Sequence, residues 1–338
     1  MTRPLLRGAE GDEWGALAAR LPTGWEAAAQ TTGALTRRRV FRDAPPLFRA
    51  CCCVVVGQCS LVEATGWLAL SGGPRVSAVA LHKRLKRSAP WFAWILAQFG
   101  ARAQTPLPGW DRRVLVADAT VITRPGRQGT DYRIHALLNL GDLRWAGCAV
   151  TDARGGEHLR RWILQPGDLV LADRGYATAS NVAAAMAQGA DVLLRWKRSH
   201  SGLRTPTGAP LDLAVRVARA PARTRLLEEP SALRQADGTL RPGRLVALRG
   251  ATDWVFLGTT LPPTVSAARI AALYRSRWQV ELVFKRFKSL GEVDDLPNTT
   301  PATAHAWLAL ACTIQVLLDD WIAETAVALP PPARCGAA

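Results

Sequence analysis

Negative charge is scarce in this 338-residue chain: 27 Asp and Glu stand against 43 Lys and Arg, for a formal net charge of +16. The surplus of base runs along the chain and is not confined to a tail, so a polyanionic partner is expected. Taken alone, that charge fits a ribosomal or membrane-surface protein as well as one that works on nucleic acid. Long apolar runs are missing too. None reaches the roughly eighteen residues that cross a bilayer, and Met1 to Gly8 lacks the hydrophobic core of a signal peptide, so no membrane partner is expected and a cytoplasmic location is. Zinc spacing is absent: Cys51, Cys52, Cys53 and Cys59 share one apolar stretch, Cys148, Cys312 and Cys335 stand alone, and none pairs with the five histidines at finger-like intervals. The thiols are therefore expected to be free and buried. No internal repeat or long low-complexity tract occurs. What is present, 49% hydrophobic and 21% charged residues, supports a substantial core divided among two or three domains.

Three of the few acids stand out by context. The run Tyr274-Arg275-Ser276-Arg277-Trp278-Gln279-Val280-Glu281-Leu282-Val283-Phe284-Lys285-Arg286-Phe287-Lys288 reads as one amphipathic helix within a longer one over 266–290. At helical spacing Tyr274, Arg277, Glu281, Lys285 and Lys288 fall within an arc of about 80°, while Leu273, Val280, Phe284 and Phe287 fill the neighbouring one. One face can pack while the other meets a ligand. A lone acid among cations suits a site where Glu281 holds a divalent metal and the cations hold phosphates; an ordinary surface helix with an i,i+4 Glu281–Lys285 pair is the alternative.

Upstream, Arg112 to Thr120 reads as a short buried strand ending in Asp118, and Gly167 to Tyr176 repeats the arrangement with Asp173 closing the strand before a turn at Gly175. Each aspartate taken singly is equally a cap or turn former. Two carboxylates on adjacent strands, however, would repel unless a cation lay between them, and all-oxygen ligands suit Mg²⁺ or Mn²⁺.

The three acids, the Asp173-Arg174-Gly175-Tyr176 turn and the spacing Tyr-x2-Arg-x3-Glu-x6-Lys met by Tyr274, Arg277, Glu281 and Lys288 together resemble the Asp-Asp-Glu transposases of bacterial insertion sequences, the group with the Tyr-Arg-Glu-Lys signature. The resemblance covers roughly residues 45 to 325. It implies an α/β fold with a ribonuclease-H-like catalytic core, an inserted β-subdomain before the glutamate, and two Mg²⁺ ions, for which Mn²⁺ substitutes. Asp118 would bridge the ions, with Asp173 and Glu281 each completing one. It also implies DNA contacts from Tyr274, Arg277, Lys285 and Lys288. Arg195 and Lys197, at the end of the strand after Asp173, have the position of DNA-contacting cations in these enzymes; solvated strand-end charges are the alternative. Trp254 stands where hairpin-forming relatives place a tryptophan that stacks on a flipped base, although an aromatic opening a strand is usually core.

The remaining chain divides accordingly. Residues 1–45 form an N-terminal arm of weak helical periodicity, and 46–109 a helical DNA-binding domain and linker, with helices expected over 47–61, 76–85 and 91–99. The basic stretch His82 to Arg87 either meets DNA phosphates or is a solvated face. The catalytic core takes 110–197 and 264–328, with a hairpin turning at Gly141-Asp142, a short helical piece at 158–162 and a helix over 177–188. His158, in that short piece, is assigned no role. The inserted β-subdomain takes 198–263, with strands expected at 211–219, 244–249 and 254–261, and 329–338 is a tail. The expected activity is cut-and-paste DNA transposition. Water nicks at a transposon end, and the freed 3′-hydroxyl attacks phosphodiesters, with a hairpin on the opposite strand as one route. Partners are double-stranded DNA with terminal inverted repeats, target DNA and a second copy of the chain. A structure-selective nuclease of the same fold, or a non-catalytic regulator derived from a transposase, are the alternatives.

Overall fold

The computed structural model describes residues 12–36, 40–124, 126, 128–198, 203–234, 237–250, 253–291, 296 and 300–328. The expected tail at 329–338, with Cys335, and the first eleven residues of the arm lie outside them. Among the described residues six helices come first: α1 (Asp12–Ala18), α2 (Trp25–Thr31), α3 (Ala44–Val55), α4 (Leu61–Leu70), α5 (Ala78–Arg87) and α6 (Ala89–Phe99). Their starts are written locally. Ser60 and Glu63 form a reciprocal capping box on α4, and Ser77 accepts from Ala80 N at 3.2 Å to open α5. Trp25 lies 5.9 Å from Trp91 in a stacked pair and 5.5 Å from Phe48, so the described part of the arm packs onto the helices that follow it.

Nine strands follow among the described residues, interleaved with helices: β1 (Val114–Ile122), β2 (Tyr132–Asn139), β3 (Trp145–Asp152), β4 (Leu169–Ala172), α7 (Ala179–Met186), β5 (Asp191–Trp196), β6 (Leu203–Arg204), α8 (Leu213–Ala218), β7 (Leu226–Arg234), β8 (Leu240–Arg249) and β9 (Trp254–Thr259). They make one sheet in the order β3-β2-β1-β4-β5-β9-β8-β7-β6. β1, β4 and β5 are parallel neighbours, and the others pair antiparallel. The strands between 198 and 263 therefore continue the sheet through β9 instead of closing on themselves. β4, Leu-Val-Leu-Ala with every residue buried, has the unbroken apolar run of a strand covered on both faces. Two turns depend on glycine. A side chain on Gly141 would meet Thr105 O at 2.2 Å, because the linker from α6 crosses the β2–β3 hairpin there, and Gly189 has φ +74°.

The chain closes with α9 (Ala267–Arg275), a 3-10 turn at Ser276–Trp278, α10 (Gln279–Gly291) and α11 (Pro301–Ala328). Four expectations are corrected here. Residues 211–219 alternate like a strand, but Leu213–Ala218 within them form α8, because Asp212 Oδ1 accepts from Ala214 N (2.9 Å) and Val215 N (3.0 Å) and caps a helix. The single helix expected over 266–290 breaks at the 3-10 turn, where Ser276 Oγ donates back to Leu273 O at 2.6 Å. Asp118 is not at the end of its strand, since β1 continues to Ile122. Finally, α11 is long and apolar enough over Pro301–Glu324 to cross a membrane by composition, but most of that stretch is buried inside the protein. It is held by Trp145 Nε1 donating to Asp319 Oδ2 (2.8 Å) and by Arg102 on Asp320 (3.0 Å).

Two apolar clusters cover the sheet. One holds the α1–α6 helices, α9, α10, α11 and the row Val114, Val116, Ile122; the other holds α7, α8 and the row Leu115, Ala117. At the base of the sheet Arg113 and Asp168 form a bidentate pair (2.9 and 2.6 Å) with both side chains buried, and Arg113 also donates to Ala103 O, joining linker to sheet.

Candidate active site

The register of β1 against β4 brings the two aspartates together. Their parallel ladder ends at the partners Ala117 and Ala172, so Asp118 and Asp173 are the next residues on strands about 4.8 Å apart. Val114, Val116, Leu169 and Leu171 face the first cluster, and side chains alternate along a strand, so both carboxylates project on that face. The sequence correctly marks the end of a ladder, but at Asp118 it is the neighbour that stops.

α10 lies over the upper half of β1 on the same face, seated by Val280, Val283, Phe284 and Phe287. The guanidinium of Arg277, in the 3-10 turn, spans two acids: Nη1 is 3.3 Å from Asp118 Oδ2, and Nη2 donates to Glu281 Oε1. Arg195, on β5, stands 3.7 Å from Asp173 Oδ1. That oxygen is buried and lacks a hydrogen-bond donor. Among the described residues, no three His, Cys, Asp or Glu side chains stand close enough together to hold a metal as they are oriented. Asp118 and Asp173 are neighbours, while Glu281 reaches the pair through Arg277.

Burial pushes Asp118 up to about 6; Glu157 and Asp173 add to the rise, and the Ala119 N–H and Arg277 pull against it. The donor set still fits a hard divalent cation. It is all oxygen, one carboxylate oxygen is buried without a donor, and the cation's charge would relieve the desolvation of Asp118.

The other expected residues are placed as follows. Tyr274 is buried in the wall, its hydroxyl 3.5 Å from Ala172 O and its ring 6.0 Å from the Arg277 guanidinium; burial raises its pKa. Lys288 donates to Val121 O at 3.3 Å, at the far end of β1, and Lys285 is exposed on α10. Lys197 is exposed just after β5. Trp254 is half-buried on the second cluster, the face opposite Asp118, with Arg249 4.9 Å from its ring centroid. His158 precedes a 3-10 turn at Leu159–Arg161. Glu157, whose charge reaches Asp118, is missed by sequence reasoning; the signal available was an acid set behind Gly155-Gly156 just after β3. Six described cysteines are free, as expected; four of them are buried, while Cys52 and Cys59 are only partly so.

Residues 109–317 match the family model described as Transposase DDE domain. Over 361 residues the chain is 30% identical to the putative transposase InsL for insertion sequence element IS186A of Escherichia coli K12, covering 95% of this chain and 96% of that protein. The transposase for insertion sequence element IS421 of Escherichia coli is likewise 30% identical over 362 residues, covering 95% of this chain and 96% of that protein. Among solved structures, the piggyBac transposase synaptic complex with hairpin DNA aligns with TM-score 0.49 and 12% identity over 99% of this chain and 78% of that one, too distant a likeness to bear on function. Matched by the family model over most of its length and by curated relatives almost end to end, the chain belongs to the DDE transposases of bacterial insertion sequences, enzymes that cleave DNA and transfer its strands.

Proposed function

We propose that this transposase moves its element by cut-and-paste, with Asp118, Asp173 and Glu281 holding two Mg²⁺ ions, or Mn²⁺ in their place, in a ribonuclease-H-like core. One observation carries the reading: the β1–β4 register sets two carboxylates side by side on the face where Arg277 links Asp118 to Glu281. The strand order β3-β2-β1-β4-β5, with β1, β4 and β5 parallel and β2 and β3 antiparallel beside them, supports the core assignment.

When bound, the ions would activate the attacking oxygen and stabilise the leaving one in an in-line displacement. The protein's own part is positional. Asp118 presents its carboxylate from a rigid strand, and Asp173 does so from the end of its neighbour. Glu281 completes the set once it leaves Arg277, freeing a forked guanidinium for a DNA phosphate. Lys285, Lys288, Arg195 and Lys197 flank the site as further phosphate contacts, and Tyr274 supports Arg277 from beneath. The reaction begins with a nick at a terminal inverted repeat. The freed 3′-hydroxyl then attacks a phosphodiester of the opposite strand, expelling the flanking DNA and leaving a hairpin whose displaced base would stack on Trp254; water hydrolyses the hairpin to restore the 3′-hydroxyl, which attacks target DNA. Two copies of the chain would pair the ends, in the cytoplasm.

The test is incubation of the full chain with end-bearing duplex and a target plasmid in Mg²⁺. Excised, joined products lost in Asp118→Ala, Asp173→Ala and Glu281→Ala are the expected result. Cleavage without joining identifies a nuclease, and binding without cleavage a regulator; either outcome refutes the proposal.

A further inference from the structure

The loop leaving β3 brings a fourth carboxylate to the site. Asn181, on α7 and only 1% exposed, grips that loop: its Oδ1 accepts from Leu159 N (2.7 Å), and its Nδ2 donates to the carbonyls of Glu157 (2.9 Å) and Tyr176 (3.0 Å). One buried amide thus ties the Glu157 loop to the turn that follows Asp173. The Glu157 side chain then lies across that turn. A Cβ placed on Gly175 would come within 1.4 Å of Glu157 Oε2 and 2.5 Å of its Cδ. The backbone at 174–176 is an ordinary 3-10 turn, so conformation does not demand glycine there; a Cβ at 175 would take the space the carboxylate occupies and push the end of the Glu157 side chain aside. Arg133, on β2, is the ion-pair partner, with Nη1 3.7 Å from Oε1, and both side chains remain about a quarter exposed. Burial is the main cause that raises the pKa values of Asp118 and Tyr176, and the Glu157 charge adds to both, so it lies within electrostatic reach of the first catalytic strand.

We propose that Glu157 is a positioning residue of the catalytic site: lying across Gly175, it fixes the Asp173 turn beside β1 and adds negative charge that strengthens the site's hold on a divalent cation. The proposal rests on reading Asp118, Asp173 and Glu281 as the acids that hold the metal. Glu157 is not one of those acids and is assigned no contact with substrate or the reacting atoms. Like other outer groups of metal sites, it acts by orienting the groups that do make contact.

Two substitutions separate charge from placement. Glu157→Gln keeps the shape and removes the charge, whereas Gly175→Ala keeps the charge and displaces the carboxylate. Mn²⁺ binding to the full chain at neutral pH, read by electron paramagnetic resonance, should weaken roughly tenfold in both, with Glu157→Asp retaining more affinity than Glu157→Gln. End-DNA affinity in EDTA should not change, and cleavage by Glu157→Gln should recover as Mg²⁺ is raised, an effect on the metal requirement that general loosening of the fold would not give. Wild-type Mn²⁺ affinity in both Glu157→Gln and Gly175→Ala would overturn the proposal. Asp173→Ala serves as control. If it loses Mn²⁺ while Glu157→Gln does not, the role of Glu157 alone falls; if Asp173→Ala also binds as wild type, the metal-holding triad itself is wrong.

Discussion

Replacing Asp118 by Asn should make the metal-free protein more stable while abolishing its activity. Asp118 is held in a mostly buried position on β1, its side chain 21% exposed, and its pKa is raised from 3.8 to about 6. A carboxyl whose folded pKa exceeds its unfolded one binds more protons when folded, so its stabilising contribution is complete below about pH 4 and is lost as the pH rises through 6. At 1.36 kcal/mol per pKa unit the loss is about 3 kcal/mol. An Asn escapes it, but leaves the Arg277 guanidinium with Glu281 as its remaining partner, so the net gain at pH 8 should be about 2 kcal/mol, a rise of a few degrees in Tm. The assay is thermal or urea unfolding of both proteins in EDTA across pH 4 to 8. The advantage of Asp118→Asn should be small near pH 4 and open between pH 4 and 6. A variant no more stable than wild type at pH 8, or a difference that does not change with pH, would refute the electrostatic account of this position.

Arg113→Ala should cost about 3–5 kcal/mol in unfolding experiments, because it strands Asp168 in the buried base of the sheet, and Mn²⁺ affinity of the folded protein should survive it. Arg277→Ala should bind end DNA more weakly than wild type; it should also lower Tm in EDTA, where its guanidinium neutralises two carboxylates, and lower it less in saturating Mg²⁺, as difference melting curves would reveal. Affinity for end DNA should fall linearly on a log–log plot against salt with a steep negative slope, since several phosphates are neutralised; filter binding across a salt series would expose a flat response. Trp254→Ala should weaken binding to a flipped-base or hairpin substrate by roughly 1–3 kcal/mol relative to plain duplex; equal loss on both would make Trp254 a core residue only.

Much of this arrangement could be read from residue order. The Gly141-Asp142 hairpin, the apolar β4 before Asp173 and the packing face of α10 each carry a local pattern that tertiary contacts reinforce. Where the reading fails, two local signals compete or a distant one decides. Leu211 to Arg219 alternates like a strand, yet the Asp212 cap prevails. β7 passes unnoticed because Pro230 and the pair Glu228-Glu229 interrupt its pattern, although the strand pairs β8 along its length. No periodicity could show that β4 stops one residue short of Asp118's level while β1 continues, because that is a property of the pair. Tyr274 has the spacing of a ligand-facing residue but is turned into the wall by the 3-10 break at Ser276. Glu157 is invisible for the same reason as any residue that acts across a loop: what marks it is the side chain missing from Gly175 eighteen positions later.

The most direct test of the central claim is the position of Mn²⁺, located by anomalous scattering in crystals of the full chain bound to end DNA. Metal is expected roughly 2–2.5 Å from oxygens of both Asp118 and Asp173, with Glu281 released from Arg277 and joining the coordination. Mn²⁺ bound elsewhere, with Arg277 still bridging Asp118 and Glu281 beside a seated DNA end, would contradict it.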